Sequence, residues 1–135
     1  MRHRDIKWIA VLALSCTGLP LCSLAQAQAP TFEQNYAKAK ANAAVGVGAA
    51  YDDRIGTQMR AIPELVSSMR DCMSNHPDRR SLHGYYEFTS PAHYRVVLQP
   101  AGPFADCITG AMENRPAPAP PSVPYLDPIE VNLTP

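Results

Sequence analysis

The first 27 residues have the pattern of a secretory signal peptide, and this pattern constrains what the rest of the chain can fold into. Basic residues within the first seven positions precede an apolar stretch from Ile9 to Leu24, and Ala25-Gln26-Ala27 follows it. Signal peptidase recognises small residues at the first and last of these three positions, so we expect cleavage near Ala27. The mature chain of about 108 residues is then long enough for one domain, in the bacterial periplasm or secreted.

Two alternatives to a cleaved signal peptide stay open at this point. An uncleaved membrane anchor would need an apolar run of about 20 residues, whereas this run has about 16 and contains Pro20. Lipidation would fall on Cys16 or Cys22. Leu21, before Cys22, is larger than the small residue that usually precedes a lipidated cysteine, and the apolar run before Cys16 is short. We therefore expect no transmembrane segment in the mature chain, with an envelope lipoprotein as the alternative.

Removal of the leader leaves two cysteines, Cys72 and Cys107. In an oxidising compartment such a pair indicates one disulfide. A bridge that closes a loop of about 35 residues contributes roughly 3.5–4 kcal/mol in the chain-entropy model. From residue 28 onward there are nine basic and eleven acidic residues. A net charge of about −2 gives none of the basic surface that nucleic-acid binding requires, so we predict no nucleic-acid partner.

Residues 28–55 differ from the rest of the mature chain because they are rich in alanine. Gly46-Val47-Gly48 interrupts any helix here, and no large apolar side chain recurs at helical spacing after Phe32 and Tyr36. We therefore expect 28–55 to be a flexible N-terminal segment and 56–135 to be the folded domain.

Two amphipathic helices are predicted in the folded domain. The first covers about 63–74, begins at Pro63 and carries Cys72 on its apolar stripe. The second, over about 104–114, follows Pro103 and carries Cys107 on its apolar face. Packing of the two apolar faces would bring the cysteines together.

Three strands are predicted around the second helix. Gly84–Thr89 and His93–Gln99 alternate in hydrophobicity and are separated by a short turn, which is typical of an antiparallel hairpin. A proline-rich strap over 116–124 leads to residues 129–133, where apolar and polar residues alternate between flanking prolines that suit a sheet edge. The prediction is a small two-layer α+β domain, in the order helix-strand-strand-helix-strand, with a three-stranded antiparallel sheet.

Five features follow one another in the C-terminal half of the chain. They are Tyr94-Arg95-Val96-Val97-Leu98, the Ala-Gly turn at 101–102, the cysteine-bearing helix at 104–114, the Pro-x-Pro-Pro step at 118–121 and the strand at 129–133. With these features, residues 60–135 resemble the TonB C-terminal-domain-like group of small exported bacterial proteins. The resemblance implies a disulfide between Cys72 and Cys107 and a sheet edge that can receive another strand. TonB itself has an uncleaved anchor and a long charged spacer. Here we expect a cleaved leader, and the spacer before the domain is short and rich in alanine, so the energy-coupling role is not implied.

Catalytic and metal chemistry is not indicated by the sequence. Cys72 and His76 are four residues apart on the first helix, and His83 and His93 would be needed to complete a zinc site. A disulfide cysteine and a helix-ending histidine account for the first pair more simply. We therefore predict no enzyme activity, no catalytic residue, no metal site and no cofactor.

The function that we expect is a non-enzymatic exported binding or structural module. Its partner would be another periplasmic or envelope protein, bound by strand addition at the edge formed by Ile129, Glu130, Val131, Asn132 and Leu133. The alternative is an inhibitor or immunity-type protein that blocks an exported enzyme with a loop, at 79–83 or 99–103.

Overall fold

A computed structural model describes residues 28–133. The predicted signal peptide at 1–27 lies outside the described residues, as do Thr134 and Pro135. The elements are, in chain order, α1 (Phe32–Asn42), α2 (Gly46–Arg60), α3 (Pro63–Asn75), β1 (Leu82–Ser90), β2 (His93–Gln99), α4 (Pro103–Met112) and β3 (Tyr125–Val131). The predicted order helix-strand-strand-helix-strand is confirmed from α3 to β3, and two further helices precede it.

The three strands form one antiparallel sheet in the spatial order β2-β1-β3. The central strand β1 pairs Tyr86 with Val96 of β2 on one side and with Asp127 of β3 on the other. Because side chains alternate between the two faces of a strand, these three residues point to the same face of the sheet. The predicted hairpin and the edge position of the last strand are both confirmed.

The main core lies on that face, between the sheet and helices α2, α3 and α4. Phe88 and Ile108 are fully buried there together with Tyr51 of α2. The disulfide between Cys72 and Cys107 joins α3 to α4 with a Cα–Cα distance of 5.8 Å, which confirms the predicted pairing. A small domain gains a large part of its stability from such a bridge.

The other face of the sheet is covered by α1. Ala39 is fully buried against Tyr85 and Leu126, and these three residues form a second, smaller apolar cluster. The helix starts with a capping box, in which Thr31 and Gln34 each accept the other's backbone N–H. The structure thus adds a third layer, formed by α1, to the two layers that were predicted.

The segment 28–55 is the main departure from the sequence prediction. It forms α1 and most of α2 instead of a flexible segment, and the expected boundary at residue 56 falls inside α2. Tyr51, Ile55 and Met59 recur at intervals of four and are buried, so the apolar stripe begins one helix earlier than expected. Gly48 allows α2 to approach the end of α1 closely, because a Cβ there would overlap the backbone carbonyl of Asn42.

The last strand also differs from the prediction. It runs over Tyr125–Val131, four residues earlier than 129–133 at its start, and Asn132 and Leu133 lie beyond its end. Pro128 lies inside this strand, although the sequence suggested that it precedes one. Proline is tolerated within an edge strand when its nitrogen points away from the neighbouring strand.

Candidate binding groove along the β3 edge

The two outer edges of the sheet differ in how far they are covered. On the β2 side, the backbone N–H of Val96 donates to Glu113 Oε1 at 3.1 Å. The Tyr94 hydroxyl lies 2.8 Å from the carbonyl oxygens of both Met112 and Arg115. The end of α4 and the residues after it therefore occupy the β2 edge, and another strand cannot pair there without displacing them.

The β3 edge is more open. The Leu126 carbonyl oxygen accepts a hydrogen bond from the side chain of Asn42 at 2.8 Å. The backbone N–H and C=O of Leu126 therefore point away from β1. Pro128 has no N–H to offer to β1. Along an antiparallel strand, the backbone N–H and C=O of successive residues point to opposite sides, so every second residue points the same way. The backbone groups of Glu130 therefore point away from β1, as those of Leu126 do. The outward groups of β3 that remain for a partner are the Leu126 N–H, the Pro128 carbonyl and both backbone groups of Glu130.

A groove of about 310 Å³ lies beside this edge, between β3 and helices α2 and α3. We call it the edge groove. Its lining combines apolar side chains of the helices with four carboxylates, at 52, 53, 127 and 130, and one basic residue, Arg60. The apolar residues are Ile55, Gly56 and Met59 of α2, Leu65, Val66 and Met69 of α3, and Met112, Pro128, Ile129 and Val131. Such a lining suits a partner segment that is mostly apolar and carries positive charge.

Asp127 is the least expected residue of the edge groove. It alternates with Tyr125 and Ile129 on the inward face of β3 and is fully buried. Within residues 28–133, neither of its carboxylate oxygens has a hydrogen-bond partner. Burial, with a smaller effect of the nearby Asp52, raises the pKa of Asp127 to about 7. A carboxyl group in this position is costly to keep ionised.

The groups around Asp127 add to the negative character of this part of the molecule. Burial and then the charge of Asp53 raise the pKa of Asp52. Burial also raises the pKa of Tyr51 and of Tyr86, both of which lie close enough to Asp127 to be affected by its charge. These tyrosines therefore stay protonated and neutral, and they neither add to nor balance the charge of Asp127.

Glu130 connects the β3 edge to α1 instead of pointing into open solvent. Its Oε1 accepts hydrogen bonds from Lys40 Nζ at 2.8 Å and from the Tyr36 hydroxyl at 3.1 Å. These two hydrogen bonds lower the pKa of Glu130. A substitution of the Glu130 side chain therefore alters the packing of α1 as well as the edge.

The structure divides the predicted edge residues between two cavities. Ile129, Glu130 and Val131 line the edge groove, whereas Asn132 and Leu133 line a separate cavity of about 420 Å³ at the C-terminal half of α3. Asp127 was not among the residues predicted from the sequence. The sequence offers one signal for it, an acidic residue at an inward position of an alternating strand. Because the predicted strand began at residue 129, Asp127 was placed outside it.

The two loops of the alternative function lie together. A cavity of about 310 Å³ is lined by residues 76–82 on one side and 100–105 on the other; we call it the loop cavity. His76 and Phe104 face each other across it, with ring centroids 6.1 Å apart, and Arg80 is exposed at its rim. The loops 79–83 and 99–103 thus form one continuous surface.

The histidines considered for a metal site are separated in the structure. Cys72 is bonded to Cys107, while His83 packs between the rings of Phe32 and Tyr36 with centroid distances of 5.5 and 5.0 Å. Between residues 28 and 133 there is no group of three or more histidine, cysteine or acidic side chains arranged to hold a metal ion.

Comparison with protein families, curated proteins and solved structures finds no match to this chain. The relationship to TonB C-terminal-domain-like proteins therefore stays a prediction. None of the helices in the described part of the chain has both the length and the apolar character needed to cross a membrane.

Proposed function

We propose that this protein is a non-enzymatic exported module that binds an extended segment of a periplasmic or envelope protein along β3. The observation that supports this most is the β3 edge, which is open from Pro128 onward, beside the edge groove of about 310 Å³. In strand addition, backbone hydrogen bonds provide affinity and side-chain pockets provide specificity. The edge and the groove together supply both requirements.

The geometry of the edge limits where a partner strand can pair. Asn42 already occupies the Leu126 carbonyl, and Pro128 contributes only an acceptor. Pairing is therefore centred on Glu130 and on Asn132, which follows β3 in the same outward register and is exposed. Every second side chain of the bound segment then points toward the groove.

Selection from a displayed library of short peptides tests this proposal, because no partner needs to be known beforehand. The affinity of a selected peptide is measured by calorimetry for the wild type, for Asn132→Pro and for the matched control Asn132→Ala. Proline removes an outward N–H and keeps Val131 extended, whereas alanine retains the N–H. We expect Asn132→Pro to weaken binding by about 1 kcal/mol relative to Asn132→Ala, the value of one hydrogen bond. Equal affinities of the two variants would contradict strand addition at this edge.

A second candidate is an inhibitor or immunity-type protein that contacts an exported enzyme through the loop cavity. The observation that favours it is the joint surface formed by residues 76–82 and 100–105. A selected peptide that loses affinity in Arg80→Ala and keeps it in Asn132→Pro would support this candidate over strand addition.

The proposed compartment has its own test, which is the intact mass of the exported protein with and without reduction. A mass that corresponds to Gln28–Pro135 with two hydrogens fewer supports a cleaved leader and an oxidised Cys72–Cys107 pair. A mass that includes acyl chains would support the envelope lipoprotein instead.

A further inference from the structure

Asp127 is a buried carboxyl group whose charge is not balanced by any side chain of the described residues. The side chain is fully buried and lines the edge groove, and both of its oxygens lack a hydrogen-bond partner among residues 28–133. Leaving a carboxylate buried without a partner costs several kcal/mol. A neutral residue of similar size at this position would avoid that cost. We therefore expect the carboxylate to interact with a group that the described residues do not supply.

The described basic side chains in and near the groove form no hydrogen bond with Asp127. Arg60 lines the groove itself, with its guanidinium beside Gly56, and the Arg54 guanidinium lies over the Tyr51 ring at 5.5 Å from its centroid. Lys40 of α1 forms its ion pair with Glu130. In the groove lining, the carboxylates of Asp52, Asp53 and Asp127 outnumber the single guanidinium of Arg60. The local charge is therefore negative and complementary to a cation.

We propose that Asp127 recognises a lysine or arginine side chain of the partner segment bound in the edge groove. This inference rests on the proposed function and specifies the chemistry of its partner. The apolar walls of the groove suit the methylene stem of such a side chain, and the carboxylate receives its charged head. Asp127 is covered in the free protein, so the side chains above it must move. Met59 lines the α2 wall of the groove, and its flexible unbranched side chain allows that wall to adapt.

The experiment uses n-butylguanidinium chloride as a probe and n-butylurea as its neutral control. Labelled protein is titrated with each compound at pH 8, above the Asp127 pKa of about 7, and followed by nuclear magnetic resonance. We expect the cation to shift the Asp127 carboxyl carbon and the amides of 52–60 and 127–131, and to lower the pKa of Asp127. Butylurea should leave these signals unchanged. Shifts confined to other surfaces, or equal effects of the two compounds, would overturn the inference.

Two variants separate this site from general electrostatic attraction. Asp127→Asn should weaken butylguanidinium binding about tenfold, as expected for a charged hydrogen bond, whereas Asp53→Asn removes an exposed carboxylate of the same groove and should weaken it much less. Equal losses in both variants would contradict a specific role of Asp127. The titration of the wild type alone decides the question if Asp127→Asn does not fold.

The peptide selection distinguishes failure of this inference from failure of the proposed function. Edge-binding peptides without lysine or arginine, with unchanged affinity for Asp127→Asn, would overturn the inference and leave strand addition in place. Binding of butylguanidinium at Asp127 without any peptide at the β3 edge would support the cation site and contradict strand addition.

Discussion

Replacing Asp127 with asparagine is expected to change how the stability of the protein depends on pH. Asp127 has a pKa of about 7 in the folded state and an ordinary value of 3.8. The folded state therefore holds the proton more tightly than the unfolded state. The stability from this group is fully present below about pH 4 and is lost as the pH rises through 7, and the difference of about three pKa units corresponds to about 4 kcal/mol.

Urea unfolding at pH 5 and pH 8 measures this effect. Over that interval the wild type should lose about 2.5 kcal/mol of unfolding free energy through Asp127, and Asp127→Asn should lose none of it. Other titrating groups, such as Asp52 and Glu130, are present in both proteins, so the difference between the two proteins isolates Asp127. If that difference is the same at both pH values, Asp127 does not titrate as a buried carboxyl group and the electrostatic reasoning is wrong.

Three further predictions concern the packing of the fold. Replacing Cys72 and Cys107 together with serine should lower the unfolding free energy by about 4 kcal/mol, the loop-closure value for 35 residues. Chemical denaturation of the variant and of the oxidised wild type measures this loss, and equal unfolding free energies would contradict it. Gly84→Ala should cost about 2–3 kcal/mol, because its Cβ would overlap the backbone of β2; an unchanged melting temperature would contradict this. Lys40→Ala should cost less than about 1 kcal/mol, since both side chains of its pair with Glu130 are about half exposed, and a larger loss in urea unfolding would contradict a surface ion pair.

The elements that the sequence predicted well are those with strong local signals. The helix from Pro63 has a proline at its first position and an apolar stripe that includes Cys72, and the structure places its end at Asn75. The hairpin strand His93–Gln99 was predicted at the observed bounds. In these segments, hydrophobic periodicity and proline position indicate the same structure, so local information was sufficient.

The elements that were missed depend on contacts distant in sequence. Ala39 gives little local signal for a buried helix. It nevertheless packs against Tyr85 and Leu126, which are both distant from it in sequence. The start of β3 was missed because Pro128 suggested a boundary, whereas its edge position makes a proline acceptable. That error also concealed Asp127, and with it the acidic part of the edge groove.

Amide hydrogen exchange of the protein with and without a selected peptide tests the central claim most directly, since it reports which backbone groups the partner covers. Strand addition predicts slower exchange at the outward amides of Glu130 and Asn132, with little change at residues 100–105 of the loop cavity. Protection confined to 76–82 and 100–105, with Glu130 and Asn132 unchanged, would contradict binding at the β3 edge.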